Sequence, residues 1–457
     1  MVMGKETCLE IANRIINEAL KLGATQAEAR VMSFTSYLTR FANSIIHQNV
    51  GETNVTLTLR FILGKRISVV SSNETGLEAI RKLAEKGFKT AKVQEENPEF
   101  VSLPEPEPIP ELPGLYIKET AECTPLMRAE MVKELIDEAH SLSPKVDSVA
   151  GALSTASYEL AVANSLGISA YTMSTVASLN TNVISKDNGV EGFGYAADVS
   201  RNVKEINPRE VGKEAAERSV KSLWAKKAEP GEYEVILEPY AVSTALLYTG
   251  YVGLNAQAVQ DGTSFMLDLM NKEAFNRQLT IWDDGRDLNG LAFPFDFEGV
   301  PKKKVVMIEN GVPKAVVYDS YTAHKEGKKS TGHAGRFGPI PAHMFMKPGD
   351  ATKDEMIKET KRGLLVTRFH YVRTVHPRKL VLTGMTRDGT WLIENGEIKY
   401  PVKNLRFTES MLRTYANIEM IGKTVKRTRI GRWFGQGSIV VPALKISKFT
   451  FTGTTEY

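Results

Sequence analysis

The chain has 457 residues, 42% of them hydrophobic and 25% charged, a balance that supports a folded core and excludes a disordered or fibrous protein. Its 58 basic and 54 acidic residues leave a net charge of +4, too small for a nucleic-acid-binding face to be expected. Two cysteines, Cys8 and Cys123, exclude a disulfide framework and fit a reducing compartment. No apolar run approaches the ~18 residues of a membrane span, and Glu6 and Glu10 interrupt the N-terminus where a signal peptide would be apolar. The expected location is the cytoplasm.

Leu9, Ala12, Ile15, Ile16, Ala19 and Leu20 recur at helical spacing over Glu6–Leu22, and Gly23 stands where a helix stops. Asn54–Leu63 alternates Val55, Leu57, Leu59 and Phe61 with polar residues, which predicts a strand. Gly64-Lys65 turns it into a second strand at Arg66–Ser71, and Gly76–Val93 returns to helical period. Six prolines between Pro98 and Pro113 then forbid a helix or a central strand, so this segment reads as an extended strap.

A helix is expected at Pro125–Ser141, followed by a meander of strands at Val146–Ser157, Tyr158–Ala163, Ile168–Ser185 and Val190–Val199. A further helix runs from Pro208 to Trp224, then a strand at Tyr233–Leu237 and a long helix around Tyr240–Val259. Asn310-Gly311 and Asn395-Gly396 sit between β-prone runs and predict two hairpins, because both residues of a type I′ turn need φ > 0. The fold class is therefore α+β. Residues 1–97 and 115–227 form two N-terminal units with antiparallel sheets, joined by the proline-rich linker at 98–114. Residues 228–457 form a predominantly β C-terminal domain that carries the long helix.

Few local motifs carry chemistry. Gly192–Ala197 has dinucleotide-like glycine spacing but lies in alternating β sequence, without the strand–turn–helix context that the motif requires. Asn417–Thr424 resembles a phosphate-binding loop whose first glycine is Asn, and β-rich sequence follows it. His324, His333 and His343 fall close together in sequence, and His370 and His376 can share a strand face, but none has a compact metal-ligand spacing. The basic runs Lys302–Lys304 and Lys423–Arg432 read as solvated strand ends.

The order of segments Glu238–Met266, Asp296–Arg336 and Trp391–Ser410 resembles the TldD/PmbA family of cytosolic peptidases. Its strongest markers are Phe295–Pro301, Ile308–Gly311, Tyr318–Ala323 and Lys329–Ala334. In the catalytic half of that family a helix carries His-Glu-x-x-x-His, and a Cys near the C-terminus adds a further zinc ligand. That pattern falls here on Ala256, Gln257 and Asp261. Ala256 has no donor atom, and Gln257 is neutral, so it cannot take a proton from a metal-bound water. Thr428–Ile439 contains no Cys.

The resemblance thus implies a TldE/PmbA-like subunit with no metal or cofactor of its own. Its expected partner is a zinc-bearing TldD-like homologue, in a heterodimer that encloses a chamber for unstructured peptides. The alternative reading is an independent homodimeric regulatory or peptide-binding protein; a weaker one relocates an active site to His324, His333 and His343. Neither nucleic acid nor membrane is an expected partner. The resemblance also places Ser330, Thr331, Gly332 and His333 in a loop near the peptide groove, with His333 replacing the family's usual Asn.

Overall fold

The computed structural model describes residues 3–429 and 437–455. Its N-terminal part is built on one six-stranded antiparallel sheet in the order β3-β2-β1-β4-β5-β6. The strands are β1 (Gln26–Ala42), β2 (Ile45–Leu63), β3 (Arg66–Ser72), β4 (Val146–Asn164), β5 (Ser169–Asp187) and β6 (Val190–Ser200). Pairing of β1 with β4, from Glu28 opposite Asn164 to Phe41 opposite Gly151, joins residues on both sides of the proline-rich linker into a single sheet.

Alternation sorts the two faces of this sheet. Ala27, Ala29, Val31, Leu57, Leu59, Phe61, Ala161 and Ala163 pack against helices Lys5–Lys21 and Leu77–Val93. Further along the same face, Phe41, Val149, Leu153 and Leu179 pack against helices Pro125–Leu142 and Pro208–Lys221. The opposite face presents Leu160 and Val162 to Phe293 and Phe295 of the C-terminal domain. The linker lies along the sheet, with Phe100 and Leu103 against Ile62, and the Asn164 amide donates to Pro104 O at 2.8 Å.

The C-terminal domain is an eleven-stranded mixed sheet. Strand Gly231–Leu237 runs parallel to Arg362–His376, and His343–Met346 runs parallel to Ser438–Thr454. Helix Pro239–Gly253 lays Ala241, Val242, Ala245 and Leu246 onto this sheet's core. Both Asn-Gly hairpins form as expected, with φ of 48° and 80° at Asn310-Gly311 and 53° and 78° at Asn395-Gly396.

Three local expectations are corrected. Val146–Asn164 is one strand rather than two. The long helix ends at Gly253, where the Phe265 ring lies so close that a Cβ would approach it to 2.3 Å, and a new short helix, Ala256–Gln260, starts behind the Asn255 cap. The first basic run is a solvated strand end only in part: Lys304 is exposed and Lys303 half-buried, but Lys302 is buried. The Thr428–Ile439 run falls largely at 430–436, outside the described residues.

The helix pair over β4–β6 depends on glycine. A Cβ on Gly194 would sit 2.0 Å from Ala215 O, and one on Gly212 would sit 2.4 Å from Leu135 O. Gly194→Val and Gly212→Val are therefore each expected to lower unfolding free energy by about 1–3 kcal/mol through overpacking. Urea denaturation of each variant against the parent measures it.

Candidate active-site cleft

Helix Ala256–Gln260 and the segment His333–His343 both line a cleft of ≈720 Å³ in the C-terminal domain. Ala334-Gly335 and Gly338-Pro339 pair as a small hairpin with Arg336 and Phe337 at its tip. Gly338 has φ +114°, and a Cβ there would come within 2.0 Å of Gln257 Oε1, so its lack of a side chain lets the hairpin meet the helix. Tyr248, Tyr251, Phe293 and Phe297 add aromatic wall. Apolar walls over a small polar floor are the general form of a ligand cleft.

The structure brings some of the expected site residues together and leaves others apart. Gln257 and Asp261 line the cleft and are exposed, whereas Ala256 turns into the apolar core. His333 also lines the cleft. Ser330, Thr331 and Gly332 lie behind it and shape the loop. Thr331 Oγ1 accepts from Tyr318 N at 2.8 Å, Ser330 Oγ accepts from Gly332 N at 3.1 Å, and a Cβ on Gly332 (φ +74°) would stand 2.2 Å from Pro301 O. His324 lies on helix Ser320–Lys325 and is not part of the cleft lining. Among the described residues, no group of three or more His, Cys, Asp or Glu side chains is placed to hold a metal ion.

Sequence reasoning missed the polar floor. His333 Nε2 lies 2.9 Å from Asp283 Oδ1, both side chains fully buried, and the other oxygen of Asp283 accepts from His343 N at 2.7 Å. Burial opposes ionisation of Asp283, but the His333 contact, His343 and Lys302 outweigh it and hold this carboxyl well below the usual carboxylate range. His333 is pulled down by burial, against the attraction of Asp283.

His343 is 2% exposed, neither ring nitrogen has a hydrogen-bond partner among the described residues, and burial followed by the charge of Lys302 lowers its pKa to about 3. Asp296 accepts from Ala334 N, Glu298 N and Val300 N, yet burial and the Glu298 charge push it up to about 7. A signal for this floor existed: Asp283 and Lys302 are charged residues adjoining strand-like apolar runs. Period alone, however, did not show which face they occupy.

Family models identify the chain over most of its length. They match PmbA/TldA metallopeptidase domain 1 at residues 27–91, the central domain at 118–223 and the C-terminal domain at 230–453. The chain belongs to the PmbA/TldD metallopeptidase family. It is 29% identical to Metalloprotease PmbA of Escherichia coli O157:H7 over 342 residues, covering 73% of each chain. To the Metalloprotease TldD homolog of Buchnera aphidicola (from Acyrthosiphon pisum) it is 27% identical over 443 residues, covering 90% of this chain and 89% of that one. The crystal structure of TldE from Thermococcus kodakarensis superposes with a TM-score of 0.88 at 21% identity, covering 97% of this chain and 100% of that one, which establishes a shared PmbA/TldD fold. No helix among the described residues is long and apolar enough to cross a membrane.

Two of the perturbed groups, His343 and Asp296, titrate in opposite senses. His343 has a folded pKa of about 3, below the ~6.5 of an unfolded histidine, so its contribution is present above ~6.5 and is lost as pH falls toward 3. Asp296 has a folded pKa of about 7, above the ~3.9 of an unfolded aspartate, so its contribution is present below ~3.9 and is lost as pH rises toward 7. The two largely cancel between roughly pH 4 and 6. His343→Gln removes only the first, so in that window the variant should gain stability relative to the parent as pH falls, by about 1.4 kcal/mol per pH unit at most. Urea denaturation of both proteins across that range checks the sign and the slope.

Proposed function

We propose that this chain is the TldE/PmbA-like, non-catalytic subunit of a two-subunit cytoplasmic metallopeptidase acting on unstructured peptides. In this reading the zinc-bearing TldD-like partner supplies the metal, and the present chain completes the substrate chamber and holds peptide in its cleft. The observation that carries the reading is the state of helix Ala256–Gln260. It stands at the cleft wall, but the residues aligned with the metal-binding pattern are a buried alanine, a carboxamide and one carboxylate.

That donor set does not fit zinc. Ala256 offers no lone pair, Gln257 cannot act as a base, and Asp261 alone leaves the coordination sphere open. No hydrolytic step is therefore assigned to this chain. What its residues can do is bind. The aromatic walls can cover the apolar side chains of a bound peptide, and the hairpin glycines Gly335 and Gly338 let the wall itself pack closely on Ile340 and Gln257. His333, the loop residue that lines the cleft, is the proposed peptide contact, and because Thr331 and Asp283 engage its two ring nitrogens a peptide that bonds to the ring must displace one of them. Ser330, Thr331 and Gly332 act through it by fixing the loop.

The purified chain alone is expected to retain no stoichiometric zinc after dialysis against a chelator and to leave unstructured peptides uncut. Mixed with the zinc-bearing homologue, it is expected to co-elute as a 1:1 complex that cleaves them. Metal analysis, size-exclusion chromatography and a peptide-cleavage assay test this. One tightly held zinc per chain would overturn the reading, as would full activity of the homologue without this chain.

A further inference from the structure

Lys302 is an unusual residue to find on a cleft floor. It is 6% exposed, and its stem crosses Gly285 so closely that a Cβ there would meet its Cδ at 2.0 Å. The backbone of Gly285 therefore holds the chain of Lys302 in one path, and the ammonium donates to Gly332 O at 3.2 Å. It makes no ion pair among the described residues. The nearest anions are already engaged, Asp283 by His333 and His343 N, and Asp296 by three backbone amides. A buried ammonium with one hydrogen bond keeps unused donor capacity that a counter-charge would satisfy.

Beside it, His343 places two buried ring nitrogens, without a partner among the described residues, in the same cleft. At the mouth stand Arg336, which lies over the Phe337 ring, and Arg373, which donates to Val372 O; neither makes an ion pair among the described residues. Of the two carboxylates among the described residues lining the cleft, Asp261 is exposed and Asp296 is buried. The cleft thus collects cationic and N–H donor groups with few acceptors to match.

We propose that Lys302 and His343 form a carboxylate-binding subsite on the floor of the cleft. The ammonium supplies charge and the imidazole N–H supplies direction, while the apolar wall formed by Phe293, Phe295 and Ala342 excludes water and strengthens both interactions. Two sources share this chemistry: the terminal carboxylate of a peptide and an Asp or Glu side chain within one. Assigning the carboxylate to a peptide rests on the function proposed above, whereas the subsite itself does not.

The test uses the full-length chain and begins with two small probes, butyrate and its neutral isostere butyramide. Butyrate should raise the melting temperature and butyramide should not. The butyrate shift should vanish in Lys302→Met, which keeps the stem and removes the charge, and shrink in His343→Leu. Three matched unstructured peptides then identify the source: one with a free C-terminus and no acidic residues, its C-terminal amide, and an amide with one internal Glu. The carboxylate-bearing form that fits should bind about tenfold more tightly than the plain amide, and Lys302→Met should erase that ratio.

Equal shifts with butyrate and butyramide, or a butyrate shift that survives both substitutions, would overturn the subsite. Because the comparison of the two probes needs no variant, a substitution that fails to fold does not blunt it. Equal binding of all three peptides with no butyrate effect sinks the subsite and leaves peptide binding standing. A Lys302-dependent butyrate effect with no peptide binding sinks the peptide reading and leaves the subsite standing.

Discussion

The segment Phe293–Pro301 is the joint on which the rest of the architecture depends. Its phenylalanines Phe293 and Phe295 pack onto Leu160 and Val162 of the N-terminal sheet, while Glu298 takes the guanidinium of Arg60 at 3.1 Å. Arg60 also pairs with Glu28 at 3.1 Å on the neighbouring strand, and Glu298 accepts from Ser320 N at 2.9 Å. All three charged side chains lie in the seam between the two sheets. Removing one partner from such a buried set costs about 3–5 kcal/mol, because the remaining charges keep their desolvation penalty. Gly299, with φ +78°, lets the turn approach Ile168 and Val162 more closely than any side chain would allow.

This joint also sets the cleft. Asp296 sits between the two anchoring phenylalanine contacts and Glu298, and its carboxylate gathers the amides of Glu298, Val300 and Ala334. The last of these fixes the start of the hairpin that forms the cleft wall. Lys302 follows immediately and is carried inward with the chain. Thus the residues that hold the sheets together and those that floor the cleft belong to one continuous polar layer. The high pKa of Asp296 follows from this, since its carboxylate shares a dry seam with Glu298.

Much of the fold was legible because its signals are local. Helix Lys5–Lys21, helix Leu77–Val93 and both Asn-Gly hairpins follow from period and turn chemistry. Strand β1 was not, because Ala27, Ala29, Ser33 and Thr35 on its inner face are too small or polar to give a clear alternation, while on the other face tertiary pairing buries Glu28 and half-buries Arg30. The continuity of the six-stranded sheet was hidden for a related reason: β1 and β4 are distant in sequence, and pairing is a non-local fact.

For the site, the loss of donors at Ala256 and Gln257 could be read from residue type alone. The floor made by Asp283, His333, His343 and Lys302 could not, since those residues come from separate segments and only the fold reports their burial. A run of three lysines naturally reads as solvated; the bare backbone of Gly285 leaves the room in which the stem of the first of them lies.

The central claim is that this chain receives unstructured peptide in the cleft lined by helix Ala256–Gln260 and the Ala334–Pro339 hairpin. Hydrogen–deuterium exchange of the full-length chain, with and without an excess of unstructured peptide, tests it directly. The account predicts peptide-dependent slowing at the backbone amides of residues 254–261 and 333–340, with helices Lys5–Lys21 and Leu77–Val93 unchanged. Peptide-dependent protection confined to the N-terminal sheet, or no protection in either cleft wall, would contradict it.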